Sequence, residues 1–168
     1  MDIAVSAARE KLNYVTPLKK DCGRICNARC CLSLDGEETG MLLFPGEAGA
    51  YTGKEGWGIR KTVQGDLVFC SGTCEREERP LSCRLFPMLP LIGEDGKVRA
   101  VMDQRARAVC PLARQGKEAL DPAFIDAVRE AGELLAQHEE QVRFLNRLRE
   151  EQEELKKLRK KFTAHYAD

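Results

Sequence analysis

Histidine and aromatic residues are scarce in this chain, and its charge is balanced. The 168 residues include two histidines and 6% aromatic residues, and 27 basic side chains match 27 acidic ones. A formal net charge of zero argues against nucleic-acid binding through bulk electrostatic attraction. No apolar run approaches the roughly 18 residues that span a bilayer, so no membrane segment is expected. The first residues have neither a basic start nor an apolar stretch, which argues against a secretory signal and for a cytoplasmic protein.

Several common sequence fingerprints are also missing. Zinc-ribbon C-x2-C knuckles and the C-x3-C-x2-C spacing of radical-SAM enzymes do not occur. Neither a complete dinucleotide-binding glycine motif nor a phosphate-binding loop is present, so a methyltransferase of the nucleotide-fold type has no support. The two histidines, His138 and His165, lie outside the cysteine-containing region, which argues against a mixed Cys/His zinc finger.

Cysteine is the residue type that stands out. An even number of cysteines suits a disulfide framework, but such a framework needs an oxidising compartment and a higher cysteine content. Scattered buried thiols without a ligand are a further alternative. We predict instead that the cysteines bind metal. The eight candidate ligands are Cys22, Cys26, Cys30, Cys31, Cys70, Cys74, Cys83 and Cys110.

The spacing of the cysteines favours a metal site. Cysteine recurs every fourth residue from Cys22 to Cys30, which places three thiols on one face of a predicted helix. The same spacing recurs at 70–74, after a predicted hairpin with strands over 59–63 and 67–70. Thiolates this close repel one another, so a cation is needed to hold them. Zinc and iron–sulfur clusters both take four cysteines, which leaves three arrangements open: two four-ligand sites, one bridged site, or one site with spare cysteines.

The order of the motifs resembles a known family. The segments are C-x3-C-x3-C-C at 22–31, L-L-F-P-G-E at 42–47, C-x3-C at 70–74, R-P-L-S-C-R-L-F-P at 79–87 and C-P at 110–111. Together they are similar to the zinc- or iron-chelating CxxCxxCC domain family (YkgJ-type), which includes the flagellin lysine-N-methylases. Three residues separate the first two cysteines here, where many members have two. The resemblance implies that the cysteines are the ligands of zinc or of an iron–sulfur cluster.

Two arginines and one glutamate lie within these motifs. Arg84 directly follows Cys83 and Arg79 precedes it by four residues, so either guanidinium is placed to donate hydrogen bonds to a thiolate. Arg84 is the stronger candidate, and the alternative is that both arginines are exposed. Glu47 is interpreted either as an oxygen ligand or general base near the metal, or as an ordinary first-turn glutamate of a short helix at 47–51.

The sequence from residue 121 onward has helical periodicity. Asp121 is placed to cap a helix, and apolar residues then recur at helical spacing as far as Phe162. This pattern predicts one helix of about forty residues or two helices in tandem, with Gly132 and Asn146 as candidate bends. An acidic block followed by a basic block favours a solvated tail, and a docking helix for a protein partner or a second copy is the alternative.

The sequence therefore predicts a mainly α protein with a small β-hairpin, an irregular cysteine-rich core organised by metal, and a long C-terminal helix or helix pair. The irregular part follows from Pro80, Pro87 and Pro90, which interrupt helices and ladders. Residues 1–120 form a metal-binding domain with N-terminal helices, and residues 121–168 form a helical segment that packs on it and extends as a charged tail. The predicted function is a cytoplasmic zinc or iron–sulfur protein with a structural or redox role. The alternatives are a lysine N-methylase-like enzyme and an adaptor that binds partners through the C-terminal helix; no nucleic-acid or membrane partner is expected, and no catalytic residue is assigned.

Overall fold

The computed structural model describes residues 1–32, 40–72 and 74–165, with side chains as far as residue 162. About 50% of the described residues are helical and 14% are in strands. The α-helices are α1 (Ile3–Lys11), α2 (Gly23–Cys26), α3 (Leu81–Leu85), α4 (Ala106–Val109), α5 (Pro111–Gln115), α6 (Pro122–Leu135) and α7 (Glu139–His165). Short 3₁₀ turns lie at Arg29–Cys31, Ala48–Ala50, Arg76–Glu78 and Lys117–Ala119. The strands are β1 (Met41–Leu42), β2 (Trp57–Lys61), β3 (Asp66–Cys70), β4 (Met88–Ile92) and β5 (Val98–Met102).

Two of the helices that form the core begin at aspartate caps. The Asp2 carboxylate accepts hydrogen bonds from the backbone N–H groups of Ala4 and Val5, at 2.9 and 3.2 Å. The Asp121 carboxylate accepts one from the N–H of Ala123 at 2.9 Å. Caps of this kind satisfy backbone donors that have no partner within the helix, so they fix where α1 and α6 begin.

The strands form two separate antiparallel sheets. β2 and β3 make the hairpin expected from the sequence, and the short β1 joins the other edge of β3. β4 and β5 form a second hairpin, in which Pro90 lies opposite Ala100. Both strands of a two-stranded sheet are edge strands, where a residue without an N–H is tolerated. The interpretation of Pro87 and Pro90 as marks of an irregular stretch therefore misses this second hairpin.

One contiguous apolar core holds the helices and the second hairpin together. α6 packs against α1 and against both strands of that hairpin, and the first half of α7 packs on β4. Leu12, Leu85, Phe124 and Leu145 are completely buried within this core. Burying each large apolar side chain stabilises the fold by about 1.5–3 kcal/mol. The core draws on residues from both sides of the predicted boundary at residue 120.

The predicted fold class, a mainly α protein around an irregular metal-organised core, is wrong. Two small antiparallel sheets stand beside the helices, and the described part of the chain shows no metal-organised core. Seven of the eight cysteines are partly or largely exposed; the buried one, Cys110, belongs to a small separate cluster with Ala106 and Ala113. The physical reason is that the apolar residues of α1, α3, α6 and the second hairpin are sufficient to form a core without a metal.

The predicted helix that carries three thiols on one face is also wrong. α2 ends at Cys26, and the next two residues, Asn27 and Ala28, adopt left-handed conformations with φ of 52° and 49°. Asparagine tolerates this conformation and commonly ends helices, whereas for alanine it costs roughly 1–2 kcal/mol. The chain then continues into the 3₁₀ turn Arg29–Cys31. The cysteines at the two ends of this segment are therefore brought together by a reversal of the chain and not by helical repeat.

The C-terminal segment forms two helices, and the break between them is at 136–138. Neither Gly132 nor Asn146 is the bend. Gly132 has a different role: a Cβ added there would lie 2.4 Å from the Cβ of Pro90, so glycine allows α6 to approach the second hairpin closely. Residues 166–168 of the predicted segment lie outside the described residues.

The two halves of α7 have different environments. The first half buries Phe144, Leu145 and Leu148 in the core, whereas Leu158 and Phe162 in the second half are 50% and 64% exposed. Within residues 1–32, 40–72 and 74–165, none of the helices is both long enough and apolar enough to cross a bilayer.

A matched pair of leucine substitutions on α7 tests this difference. We expect Leu145→Ala to lower the free energy of unfolding by about 2–5 kcal/mol, because it leaves a cavity in the core. Leu158→Ala is expected to change it by no more than about 0.5 kcal/mol. Chemical denaturation followed by circular dichroism measures both values. A large loss for Leu158→Ala would contradict the exposure of this half of the helix.

Candidate metal centre

All eight predicted ligands line two adjoining cavities beside the apolar core. The larger cavity has a volume of about 350 Å³ and is lined by Cys22, Cys30, Cys31, Cys70, Cys74 and Cys83. The smaller has a volume of about 90 Å³ and is lined by Cys22, Cys26, Cys30 and Cys110. Cys22 and Cys30 therefore border both cavities. The structure thus brings thiols from separate stretches of the chain to the same region of the molecule.

The thiols do not form a finished coordination sphere. Among the residues that the structure describes, no three His, Cys, Asp or Glu side chains are placed so that they could hold one metal ion. All eight cysteines are free thiols, and the Sγ atoms of Cys30 and Cys31 lie 3.9 Å apart. The arrangement is a group of thiols around shared cavities.

Short elements and the turns between them position these thiols. Cys22 caps α2 and Cys26 ends it, Cys30 and Cys31 lie in the 3₁₀ turn Arg29–Cys31, Cys70 ends β3, Cys74 precedes the 3₁₀ turn Arg76–Glu78, Cys83 lies within α3, and Cys110 joins α4 to α5. None of these segments is a long regular element, so their relative placement depends on contacts with the rest of the molecule.

Burial disfavours the thiolate form of several of these cysteines. Burial raises the pKa of Cys22 to about 11, and the neighbouring thiols of Cys26 and Cys110 contribute to the shift. Burial raises the pKa of Cys83 as well, again with contributions from nearby thiols. Zinc and iron bind the thiolate and supply the positive charge that offsets this cost. The donor set therefore fits a cysteine-bound metal in its chemistry.

The thiols of Cys30 and Cys31 have pKa values shifted in opposite directions. The hydrogen bond between the two thiols raises the pKa of Cys30, and burial raises it further. The same hydrogen bond lowers the pKa of Cys31, and the Arg79 guanidinium lowers it too. Cys31 is therefore the member of the pair that loses its proton more readily, and the cation that stabilises its thiolate is the Arg79 guanidinium.

The two arginines of the R-P-x-x-C-R motif have roles opposite to those expected. Arg79 interacts with the Cys74 thiol, and its charge acts on Cys31 as well. The Arg84 guanidinium instead donates hydrogen bonds to oxygen atoms: the backbone carbonyls of Arg79, Glu77 and Arg9, and the side-chain amide of Asn13. Arg79 is thus the arginine that supports a thiolate, and Arg84 holds neighbouring segments together.

Arg76 is a structural residue that the sequence does not reveal. It lies in a charged run that has the appearance of a solvated surface, yet its guanidinium donates hydrogen bonds to the carbonyls of Leu12, Asn13 and Val15. These carbonyls follow the end of α1, where helical partners are missing. Arg76 therefore joins the segment between Cys74 and α3 to the end of the first helix.

Glu47 directly precedes the 3₁₀ turn Ala48–Ala50, which lies within the short helix predicted at 47–51, and it lines neither of the two cavities. It is completely buried, and its two carboxylate oxygens accept hydrogen bonds from the N–H groups of Phe44 and Leu81, at 3.0 and 2.9 Å. Arg9 lies 3.6 Å from the same carboxylate. Burial raises the pKa of Glu47, while the two N–H donors and Arg9 act in the opposite direction. Since Leu81 begins the helix that carries Cys83, Glu47 fixes this cysteine-bearing helix against the loop at 44–47.

The wall of the larger cavity also has an apolar part, formed by Met41, Trp57 and Phe86. The Trp57 ring packs on Tyr51 with ring centroids 4.8 Å apart, which holds it in place. An apolar wall lowers the local dielectric and strengthens the interaction between thiolates and a cation.

No protein-family profile, curated protein or solved structure matches this chain.

Proposed function

We propose that this protein binds a thiophilic metal, as zinc or as an iron–sulfur cluster, through its cysteine thiolates. One observation carries the proposal: every cysteine in the chain lines one of two adjoining cavities, although the cysteines come from well-separated segments. Packing alone gives no reason for all eight thiols to gather at one place outside the core. The resemblance of the motif order to the CxxCxxCC domain family points to the same proposal.

The role that follows from this ligand set is structural or redox. Four cysteines complete the coordination of zinc, and four also complete an iron–sulfur cluster, so neither centre needs an open position for substrate. A thiolate site of this kind needs reduced cysteines, and the cytoplasm is a compartment that keeps thiols reduced. Arg79 would offset part of the negative charge of such a centre.

Elemental analysis of the full chain, purified without oxygen, tests the proposal. We expect stoichiometric zinc in a colourless protein, or iron with acid-labile sulfide and visible absorption in a brown one. A variant with all eight cysteines replaced by serine should contain neither metal, whereas Leu158→Ala, which lies far outside the cavities, should retain it. Wild-type protein that contains no stoichiometric zinc or iron, and takes up neither when reconstituted, would overturn the proposal.

A second candidate is a protein lysine N-methylase-like enzyme that uses the metal centre. The specific observation in its favour is the larger cavity, whose volume of about 350 Å³ lies in the range of small-molecule sites. Binding of S-adenosylmethionine, measured by calorimetry on the metal-loaded protein, distinguishes this candidate from a structural or redox protein. Absence of binding by the loaded protein would remove it.

A further inference from the structure

We propose that the eight cysteines form two separate four-thiolate sites, one made of Cys22, Cys26, Cys30 and Cys110 and the other of Cys31, Cys70, Cys74 and Cys83. The first set is called the outer quartet below and the second the inner quartet. This inference rests on the proposed metal-binding function and divides its ligands.

The smaller cavity defines the outer quartet. The cysteines that line it are the four members of that quartet, and none of the inner-quartet cysteines is among its lining residues. Its remaining wall is largely apolar and includes Leu18, Ile25 and Leu112. Cys26 and Cys110 contact this cavity and do not line the larger one. They can therefore belong to one site only.

The larger cavity defines the inner quartet. Cys31, Cys70, Cys74 and Cys83 all line it, and none of them lines the smaller cavity. The electrostatic neighbours of Cys83 agree with this division: the thiols that raise its pKa are Cys31, Cys74 and Cys70. The thiols that act on Cys22 are Cys26 and Cys110.

Cys22 and Cys30 border both cavities. We assign them to the outer quartet from the number of ligands that each site needs. Without these two the smaller cavity has two thiols, whereas the larger cavity already has four. Cys30 has neighbours in both quartets, since its Sγ atom lies 3.9 Å from that of Cys31 and the thiols of Cys22 and Cys26 also raise its pKa, so the number of ligands alone assigns it. Because tetrahedral zinc and cubane iron–sulfur clusters each take four thiolates, this assignment completes both sites and leaves no spare cysteine.

The two sites differ in charge. Arg76, Arg79 and Arg84 line the larger cavity, and Arg79 interacts with Cys74 and Cys31 of the inner quartet and more weakly with Cys22 of the outer quartet. The lining of the smaller cavity contains no arginine or lysine among the described residues. Four thiolates around a divalent ion carry a net negative charge, which a nearby guanidinium stabilises. The inner site should therefore hold its metal more tightly than the outer site.

Two matched double variants test the division. Cys26→Ser with Cys110→Ser removes two ligands of the outer quartet, and Cys70→Ser with Cys74→Ser removes two of the inner quartet. We expect each double variant to retain half of the wild-type metal content, measured by elemental analysis on the full chain, and the combination of all four substitutions to retain none. Circular dichroism shows whether each variant keeps its helical content.

A measurement on the wild-type protein makes the test independent of the folding of the variants. Metal is withdrawn in steps with a chelator, exposed thiols are alkylated, and mass spectrometry identifies them. We expect the four outer-quartet thiols to become reactive together, before the four inner-quartet thiols.

Three results would overturn the division. All eight thiols becoming reactive in one step, or loss of all metal in either double variant, would indicate one shared multinuclear centre. Full metal content in one double variant together with complete loss in the other would indicate one site with spare cysteines. Wild-type protein that neither contains nor takes up metal would instead overturn the proposed function itself, so the two failures are distinguishable.

Discussion

Replacing Glu47 by alanine is expected to lower the free energy of unfolding by about 3–5 kcal/mol. The substitution removes the acceptor for the buried N–H groups of Phe44 and Leu81 and leaves Arg9 without its partner carboxylate. Each buried donor without an acceptor costs about 1–3 kcal/mol. Urea denaturation of the metal-loaded protein measures the loss.

Two further variants identify the cause. Glu47→Gln keeps the size of the side chain but offers one acceptor oxygen where the carboxylate offers two, so we expect a loss of about 1–3 kcal/mol, between wild type and alanine. Glu55→Ala, at an exposed position of the same region, should change stability by no more than about 0.5 kcal/mol. A loss below about 1 kcal/mol for Glu47→Ala would show that the two N–H groups find other acceptors.

Removal of the proposed metal is expected to destabilise the protein without unfolding it. At a free metal concentration a thousandfold above the dissociation constant, a ligand that binds only the folded state stabilises it by about 4 kcal/mol. Chelation should lower the melting temperature accordingly. The far-UV circular dichroism signal should nevertheless remain largely intact, because α1, α6, α7 and the second hairpin are held by an apolar core that contains none of the predicted ligands.

The Leu145→Ala variant is the matched control for this experiment. It should lose stability through the core while its metal content stays unchanged, and chelation should lower its melting temperature by a similar amount. Loss of most helical signal in the chelated wild-type protein would mean that the fold depends on the metal. An unchanged melting temperature, in protein shown to have lost its metal, would mean that binding contributes nothing to stability.

The local signals in the sequence predict some elements well. Asp121 caps α6 as the sequence predicts, because a short acidic side chain can accept a hydrogen bond from a free N–H group at a helix start. The β2–β3 hairpin follows from two apolar stretches around a glycine-containing turn. The grouping of the cysteines is also readable from spacing and order, while their role as ligands stays a prediction.

Other features depend on contacts that spacing cannot show. The regular repeat of Cys22, Cys26 and Cys30 fits a helix, but left-handed Asn27 and Ala28 reverse the chain instead. Prolines argue against strands in general, yet β4 pairs with only one strand and tolerates them. Partners distant in sequence decide the function of a charged side chain. Arg84 was expected to donate to a thiolate because it is next to Cys83 in sequence. Its guanidinium donates instead to oxygen atoms at the end of α1 and in neighbouring turns.

Arg76 connects the end of the first helix to the segment that carries Cys74. Its guanidinium donates hydrogen bonds to three backbone carbonyls that follow the end of α1. Arg76 itself lies two residues after Cys74 in the sequence. We expect a movement of Cys74 toward or away from a bound ion to be transmitted through Arg76 to residues 12–15. These residues do not line either cavity. We therefore expect amide hydrogen exchange at residues 12–15, which follow α1, to change when the proposed metal binds.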